Sequence, residues 1–162
     1  MRCEIIAIGT ELLLGQIVDT NSSWLGQELA LAGIDSLHQT KVGDNLERIV
    51  GSIRLALGRS DAVILCGGLG PTQDDITREA IAEAFGETIE VDAELVADLK
   101  RMFQGRGQEM PESNIKQATR IPSVTILPNP RGSAPGWWAE KNGTIIIAMP
   151  GVPSEMVVMW AE

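Results

Sequence analysis

The sequence holds one histidine and two cysteines, and they do not cluster. His38, Cys3 and Cys66 therefore argue against a zinc site, which needs several such ligands together. Both cysteines sit in apolar, strand-like runs, where buried reduced thiols are expected rather than a disulfide. No apolar run approaches the roughly 20 residues of a membrane span. The opening, Cys3-Glu4-Ile5-Ile6-Ala7-Ile8, lacks the basic stretch, long apolar core and cleavage site of a secretory signal. The chain is accordingly read as cytoplasmic, with no membrane partner, and the Asn-x-Ser/Thr matches at Asn21 and Asn142 carry no weight. Positive charge is also scarce: 13 Lys and Arg face 22 Asp and Glu, a net charge of −9. Such a field does not attract nucleic acid. It also means that any phosphate ligand needs a local counter-charge.

What is present suits a globular domain. A chain of 162 residues is enough for one core and short for two. Hydrophobic residues at 44% and charged residues at 22% argue against disorder. Cys3–Ile8 predicts a strand ended by Gly9, with a loop over 10–19. Thr20 and Asn21 look like caps of a helix through Ala32, which Gly33 ends. A second strand is expected over roughly 35–42. Leu46, Ile49, Val50, Ile53 and Leu57 fall at helical spacing, with Asp44 and Glu47 as a capping box before them. Ala62–Cys66 is a continuous apolar run, as in a central strand covered on both faces. The glycine-rich segment after it is expected to open a helix through Phe85. Alternating strands and helices predict crossover units and a parallel sheet. The second half reads as a helix over 93–103, a short helix over 113–119 and a brief strand at 125–127. A hairpin of 136–139 with 144–149 follows, turning at Asn142-Gly143. A last helix starts near Pro153 and is still apolar where the sequence stops. The expectation is a single domain, 1–162, at the front of a longer protein.

Five segments carry candidate chemistry. Gly67-Gly68-Leu69-Gly70-Pro71-Thr72-Gln73-Asp74-Asp75 joins a buried strand to a helix. Its exposed backbone N–H groups and the helix start together suit an anion, at the sheet edge where parallel folds bind ligands. It is neither a P-loop nor the dinucleotide fingerprint, since no Gly-Lys-Ser/Thr follows and Gln73 stands where the third glycine belongs. A plain tight turn, capped by Thr72 and Asp75, also fits, but capping does not require two adjacent aspartates. Asp44, after the second strand, suits an N-cap when taken alone; a parallel sheet would bring it to the same crevice as Asp75. Carboxylates beside a phosphate repel it, and a divalent cation resolves the conflict. Gly9-Thr10-Glu11 reads as a loop start with a solvated Glu11. The 130–136 segment, with Gly132 and Ser133, reads as a loop or a ligand clamp. Gly151 and Ser154, around Pro153, mark a helix start that can also hold an anion. Of Trp137 and Trp138, adjacent in a strand, one ring is expected in the core and the other on the opposite face.

Taken in order, these segments resemble a known family. Gly9-Thr10-Glu11-Leu12 through Gly15-Gln16-Ile17, with Asp19 and Asn21, is similar to the opening of molybdopterin-binding domains of the MoaB and MogA type. Gly67-Gly68-x-Gly70 with Asp75 resembles their central motif, and Pro150-Gly151-x-Pro153 their closing loop. The longer pattern is closer to one branch, the competence/damage-inducible CinA proteins. It includes Val42-Gly43-Asp44-Asn45, Gly68-Leu69-Gly70-Pro71-Thr72-x-Asp74-Asp75, Asn114-x-x-Gln117-Ala118, Ser133-Ala134-Pro135-Gly136 and Pro150-Gly151-Val152-Pro153-Ser154-Glu155-Met156. The resemblance covers nearly the whole chain. It implies a three-layer α/β/α fold with a largely parallel sheet, functional carboxylates at Asp44 and Asp75, and assembly as a homo-oligomer. Molybdenum-cofactor members bind molybdopterin and some adenylylate it, whereas the matching CinA domain is associated with metal-dependent hydrolysis of ADP-ribose-like pyrophosphates. Leu69 stands where pterin-handling relatives often carry threonine, a departure that weakens a pterin assignment.

The resulting expectation is a metal-dependent pyrophosphatase. Asp44 and Asp75 would hold a divalent metal ion, and Asp74 or Glu11 would support its shell or act as base. Thr10, Gly67, Gly68, Gly70, Thr72, Gly132, Ser133, Gly151 and Ser154 would surround the phosphates. The alternatives are a pterin-binding or adenylyl-transfer domain, and a non-catalytic nucleotide-sensing module. All three take a small anionic ligand, nucleotide or pterin-like.

Overall fold

Two runs with every residue buried, β1 (Cys3–Ile8) and β3 (Ala62–Cys66), lie side by side at the centre of the sheet. A computed structural model describes residues 1–161. β2 (Gln39–Val42) pairs with the other edge of β1, and β8 (Thr144–Met149) with the other edge of β3, all four strands running parallel. β7 (Gly136–Lys141) and β6 (Val124–Leu127) add antiparallel strands, giving the order β2-β1-β3-β8-β7-β6. The sheet is therefore largely parallel with an antiparallel edge, as expected. Asn142 and Gly143, with φ of 52° and 78°, make the left-handed two-residue turn that matches strand twist between β7 and β8.

Side chains alternate between two apolar layers. Ile6, Ile8, Val63 and Leu65 meet Ile49, Val50 and Ile53 of α3 (Leu46–Leu57) and Ile81 of α4 (Thr77–Phe85). On the other face Ile5, Ile64 and Cys66 meet Leu25 and Leu29 of α2 (Thr20–Leu31) and Met156 of α6 (Pro153–Trp160). This is the three-layer α/β/α arrangement. Trp137 is fully buried in the first layer; Trp138, next to it, is only half-buried. Trp24 and Trp160 close the second layer edge to face, with ring centres 6.1 Å apart. No helix among the described residues is long and apolar enough to cross a membrane.

Glu4 is the exception inside β1, a carboxylate 1% exposed. Arg59 donates to both its oxygens at 2.8 Å, and Thr40 Oγ1 donates to Oε1 at 2.9 Å. Burial alone would raise this carboxyl; the Arg59 and Thr40 hydrogen bonds outweigh it and hold Glu4 below the ordinary range.

Several local expectations are corrected. The 10–19 loop begins with a single turn, α1 (Thr10–Leu13). Asp19, not Thr20 or Asn21, caps α2, accepting from the Ser22 amide. Asn45, not Asp44, caps α3, accepting from the Arg48 amide. The second strand is shorter than expected, with only an isolated bridge at Asp35. α4 starts at Thr77, so Thr72 and Asp75 close a turn ahead of the helix rather than box its end. Beyond α4 lie β4 (Glu90–Val91), α5 (Ala93–Gly105), a 3-10 helix (Glu112–Ala118) and β5 (Thr119–Arg120). β4 and β5 form a separate two-stranded ladder that the sequence did not signal.

Candidate functional site

The C-terminal ends of the parallel strands β2, β1, β3 and β8 stand in a row, and the loops leaving them line one cleft of about 550 Å³. Glu11, Asp44, Gly67, Gly68, Gly70, Asp74, Asp75, Ser133 and Gly151 line it, together with Glu155 and Gln117. Four expected residues stand outside its lining. The Thr10 and Thr72 hydroxyls are taken up by Asp44 and Asp75. Gly132 lies where a Cβ would collide with the Glu155 carboxylate. Ser154 is exposed in the first turn of α6.

The floor of the cleft is the glycine turn after β3. Gly67 has φ of 108° and a Cβ there would run into the Ile8 carbonyl; Gly68 has φ of 68° and a Cβ there would run into Thr77 Oγ1. Only glycine accepts both demands. Three successive carbonyls are then pulled to one side. Thr77 Oγ1 donates to Gly67 O at 2.8 Å and the Thr77 amide donates to Gly68 O at 3.2 Å. Arg78 Nη1 donates to Leu69 O at 2.9 Å, with Gln117 Nε2 at 3.4 Å from the same oxygen. A trans peptide holds its C=O and the next N–H in opposite directions. The amides of Gly68, Leu69 and Gly70 therefore face away from α4, on the cleft side. None of the three has a hydrogen-bond partner among the described residues. Consecutive unpaired N–H groups of this kind form an anion-binding concavity.

Carboxylates ring that floor. Asp75 lies against Gly70, where a Cβ would meet its carboxylate, and its Oδ2 accepts from the Thr72 amide at 2.9 Å and hydroxyl at 2.6 Å. Asp44 Oδ2 accepts from the Thr10 amide and hydroxyl at 2.9 and 2.8 Å. Asp74 is exposed, and Glu11 packs over Gly9. Glu155 accepts from Asn129 Nδ2 at 2.7 Å; Asn129 also ties the 129–134 loop through Ala134 O. Asp44 and Asp75 are thus each held through one oxygen, leaving Oδ1 without a hydrogen-bond partner among the described residues. No three His, Cys, Asp or Glu side chains among the described residues are grouped to hold an ion. Each free oxygen is of the kind a hard cation of the magnesium type takes, since such an ion uses one or two carboxylates and completes its shell with water and ligand phosphates.

Arg78, Gln117 and Glu155 were absent from the expected site. Gln117 and Glu155 lie inside two of the segments that resemble the CinA pattern, Asn114-x-x-Gln117-Ala118 and Pro150 to Met156. Arg78 gave one signal: it precedes Ile81, Ala82 and Phe85 by three, four and seven residues, so it sits on the apolar face of its helix.

The chain matches, over residues 4–162, the family described as "Probable molybdopterin binding domain". A CinA-like protein of Deinococcus deserti is 52% identical over 163 residues, covering 100% of this chain and 40% of that protein. A CinA-like protein of Thermomicrobium roseum is 47% identical, again over 100% of this chain and 40% of the other. The chain thus spans about 40% of the length of these curated relatives. The crystal structure of CinA from Thermoplasma acidophilum superposes with a TM-score of 0.92 at 35% identity, over 99% of this chain and 94% of that one. The molybdopterin biosynthesis enzyme MoaB of Thermus thermophilus shares the fold, with a TM-score of 0.64 at 21% identity over 98% and 86% of the two chains. The chain belongs to the molybdopterin-binding-type domain family, in its CinA-like branch.

Proposed function

We propose that this domain is a metal-dependent pyrophosphatase acting on ADP-ribose-like nucleotides. The observation that carries it is the row of unpaired Gly68, Leu69 and Gly70 amides beneath an acidic rim. The amides call for an anion. Asp44, Asp74 and Asp75 would expel a bare one. A pyrophosphate bound together with a divalent ion meets both demands. When bound, the ion supplies charge stabilisation at the phosphoryl oxygens and lowers the pKa of an attacking water. The chain's own groups do the rest. The amide row binds and orients the phosphates, Asp44 and Asp75 would hold the ion through one oxygen each, and exposed Asp74 accepts the proton of the water that displaces AMP. Glu11 stands beside the same path as a second acceptor.

The test is AMP release from ADP-ribose by the purified domain across a panel of divalent metals, with Asp75→Asn as control. Metal-dependent release, abolished in the variant at unchanged far-UV dichroism, is the expected result. Binding of molybdopterin with no turnover under any metal would replace this reading with a pterin-binding one. The fold shared with MoaB favours that reading next.

A further inference from the structure

Arg78 is 1% exposed, yet none of the carboxylates among the described residues forms an ion pair with it. Its nearest acid on α4, Glu79, is paired with Lys116 at 3.0 Å. Burying a charge without a close counter-ion costs several kcal/mol, and here burial lowers the Arg78 pKa to about 10, with the charges of Glu79 and Asp75 offsetting only part of it. An apolar side chain would fill the place at less cost. What the guanidinium does instead is bridge two loops. Nη1 donates to Leu69 O of the glycine turn at 2.9 Å, and Nη2 donates to Pro135 O, in the loop that leads into β7, at 3.0 Å. The Trp137 ring, 5.8 Å away, supports it from below, and Nε has no partner.

Drawing Leu69 O inward turns the Gly70 amide outward. The same group places a full positive charge under the three amides, within a chain of net charge −9. We infer that Arg78 is the positioning residue of the anion site: it orients the Leu69–Gly70 peptide and supplies the counter-charge for a pyrophosphate seated on the glycine turn. This rests on the reading of the cleft as an anion site. It does not require that hydrolysis occur there.

The probe is inorganic pyrophosphate with magnesium, followed by calorimetric titration and by amide NMR of the intact domain. In the wild type the Gly68, Leu69 and Gly70 amide resonances shift first and furthest. Arg78→Lys keeps the charge but not the two-loop bridge, and weakens binding roughly tenfold, the scale of one charge-assisted hydrogen bond. Arg78→Met removes both and weakens it further. Gln117→Leu removes the longer contact to Leu69 O, together with the Asn114 hydrogen bond to the Gln117 side-chain carbonyl, but leaves the arginine bridge in place; it has a smaller effect and reports even if the arginine variants fail to fold. Wild-type binding with no movement of these three amides overturns the inference, as does equal affinity in folded Arg78→Met. Binding by the wild type without AMP release from ADP-ribose overturns the pyrophosphatase reading alone. No binding by the wild type overturns both.

Discussion

Thr10 and Asp44 hold each other across two strand ends: the Thr10 amide and hydroxyl donate to Asp44 Oδ2 at 2.9 and 2.8 Å, and the Asp44 amide donates back to Thr10 Oγ1 at 3.1 Å. The loops after β1 and β2 are thereby locked to one another, and the carboxylate has a set direction. Thr10→Val keeps the shape and one amide donor but removes the hydroxyl from both of its roles. The expected result is a loss of about 1 kcal/mol in unfolding free energy, seen by urea denaturation. The expected fall in kcat/KM for AMP release is about tenfold or more, because Asp44 is left free to rotate. Unchanged kinetics would remove Asp44 orientation from the mechanism.

Gly67 and Gly15 separate two costs that glycine replacement usually mixes. Both have positive φ, 108° and 68°, but a Cβ at Gly15 meets nothing within 4 Å, whereas one at Gly67 meets the Ile8 carbonyl. Gly15→Ala should lose about 1–2 kcal/mol, the strain of the left-handed region alone. Gly67→Ala adds a backbone collision and should lose about 3 kcal/mol or more. Comparable denaturation midpoints for the two variants would contradict the packing of β1 against the turn.

Glu4 gives the domain an acid-sensitive component. Its folded pKa lies below the ordinary 4.5, so the folded state binds fewer protons than the unfolded one in that range. Its stabilising contribution is complete above about pH 4.5 and is lost as the pH falls through the lowered folded value. Glu4→Gln should cost about 1–3 kcal/mol at pH 7, because a buried charge-assisted contact is removed. The variant should also show a flatter stability profile as the pH falls below about 4.5. A profile parallel to the wild type would place the acid sensitivity elsewhere.

The thiols behave in the opposite sense. Burial pushes Cys66 up to about 12 and Cys3 up to about 11, from an ordinary 9.0. The folded state therefore keeps protons that the unfolded state releases, and this contribution is complete below pH 9 and declines above it. Both cysteines should resist iodoacetamide at pH 8 and react together on unfolding, with mass spectrometry as the readout. Fast labelling of Cys66 alone would show that the β3 end opens locally.

The strands were legible because their signals are local. β1 and β3 are unbroken apolar runs, and the β7–β8 hairpin is written in Asn142-Gly143. The helix caps were not, because capping depends on which partner reaches a side chain first. Asp44 looks like a cap to its own segment, but Thr10, 34 residues away, captures it and leaves the cap to Asn45. The cleft's acidic rim could be anticipated from Asp44, Asp74 and Asp75 at strand ends. Its cationic underside could not, since nothing short of the packed fold shows that the Arg78 guanidinium reaches two loops 66 positions apart, Leu69 and Pro135. The β4–β5 ladder, two residues per strand, is below the length at which alternation can register.

The four parallel strand ends, in the order β2, β1, β3 and β8, also act as a ruler. Three interstrand spacings of about 4.8 Å place Asp44 and Gly151 at the ends of a line roughly 14 Å long. A single phosphate, a few ångströms across, touches one portion of that line at a time. On the proposed function, a diphosphate flanked by sugars would span its full length, and discrimination between the two would be set by the pitch of the sheet itself.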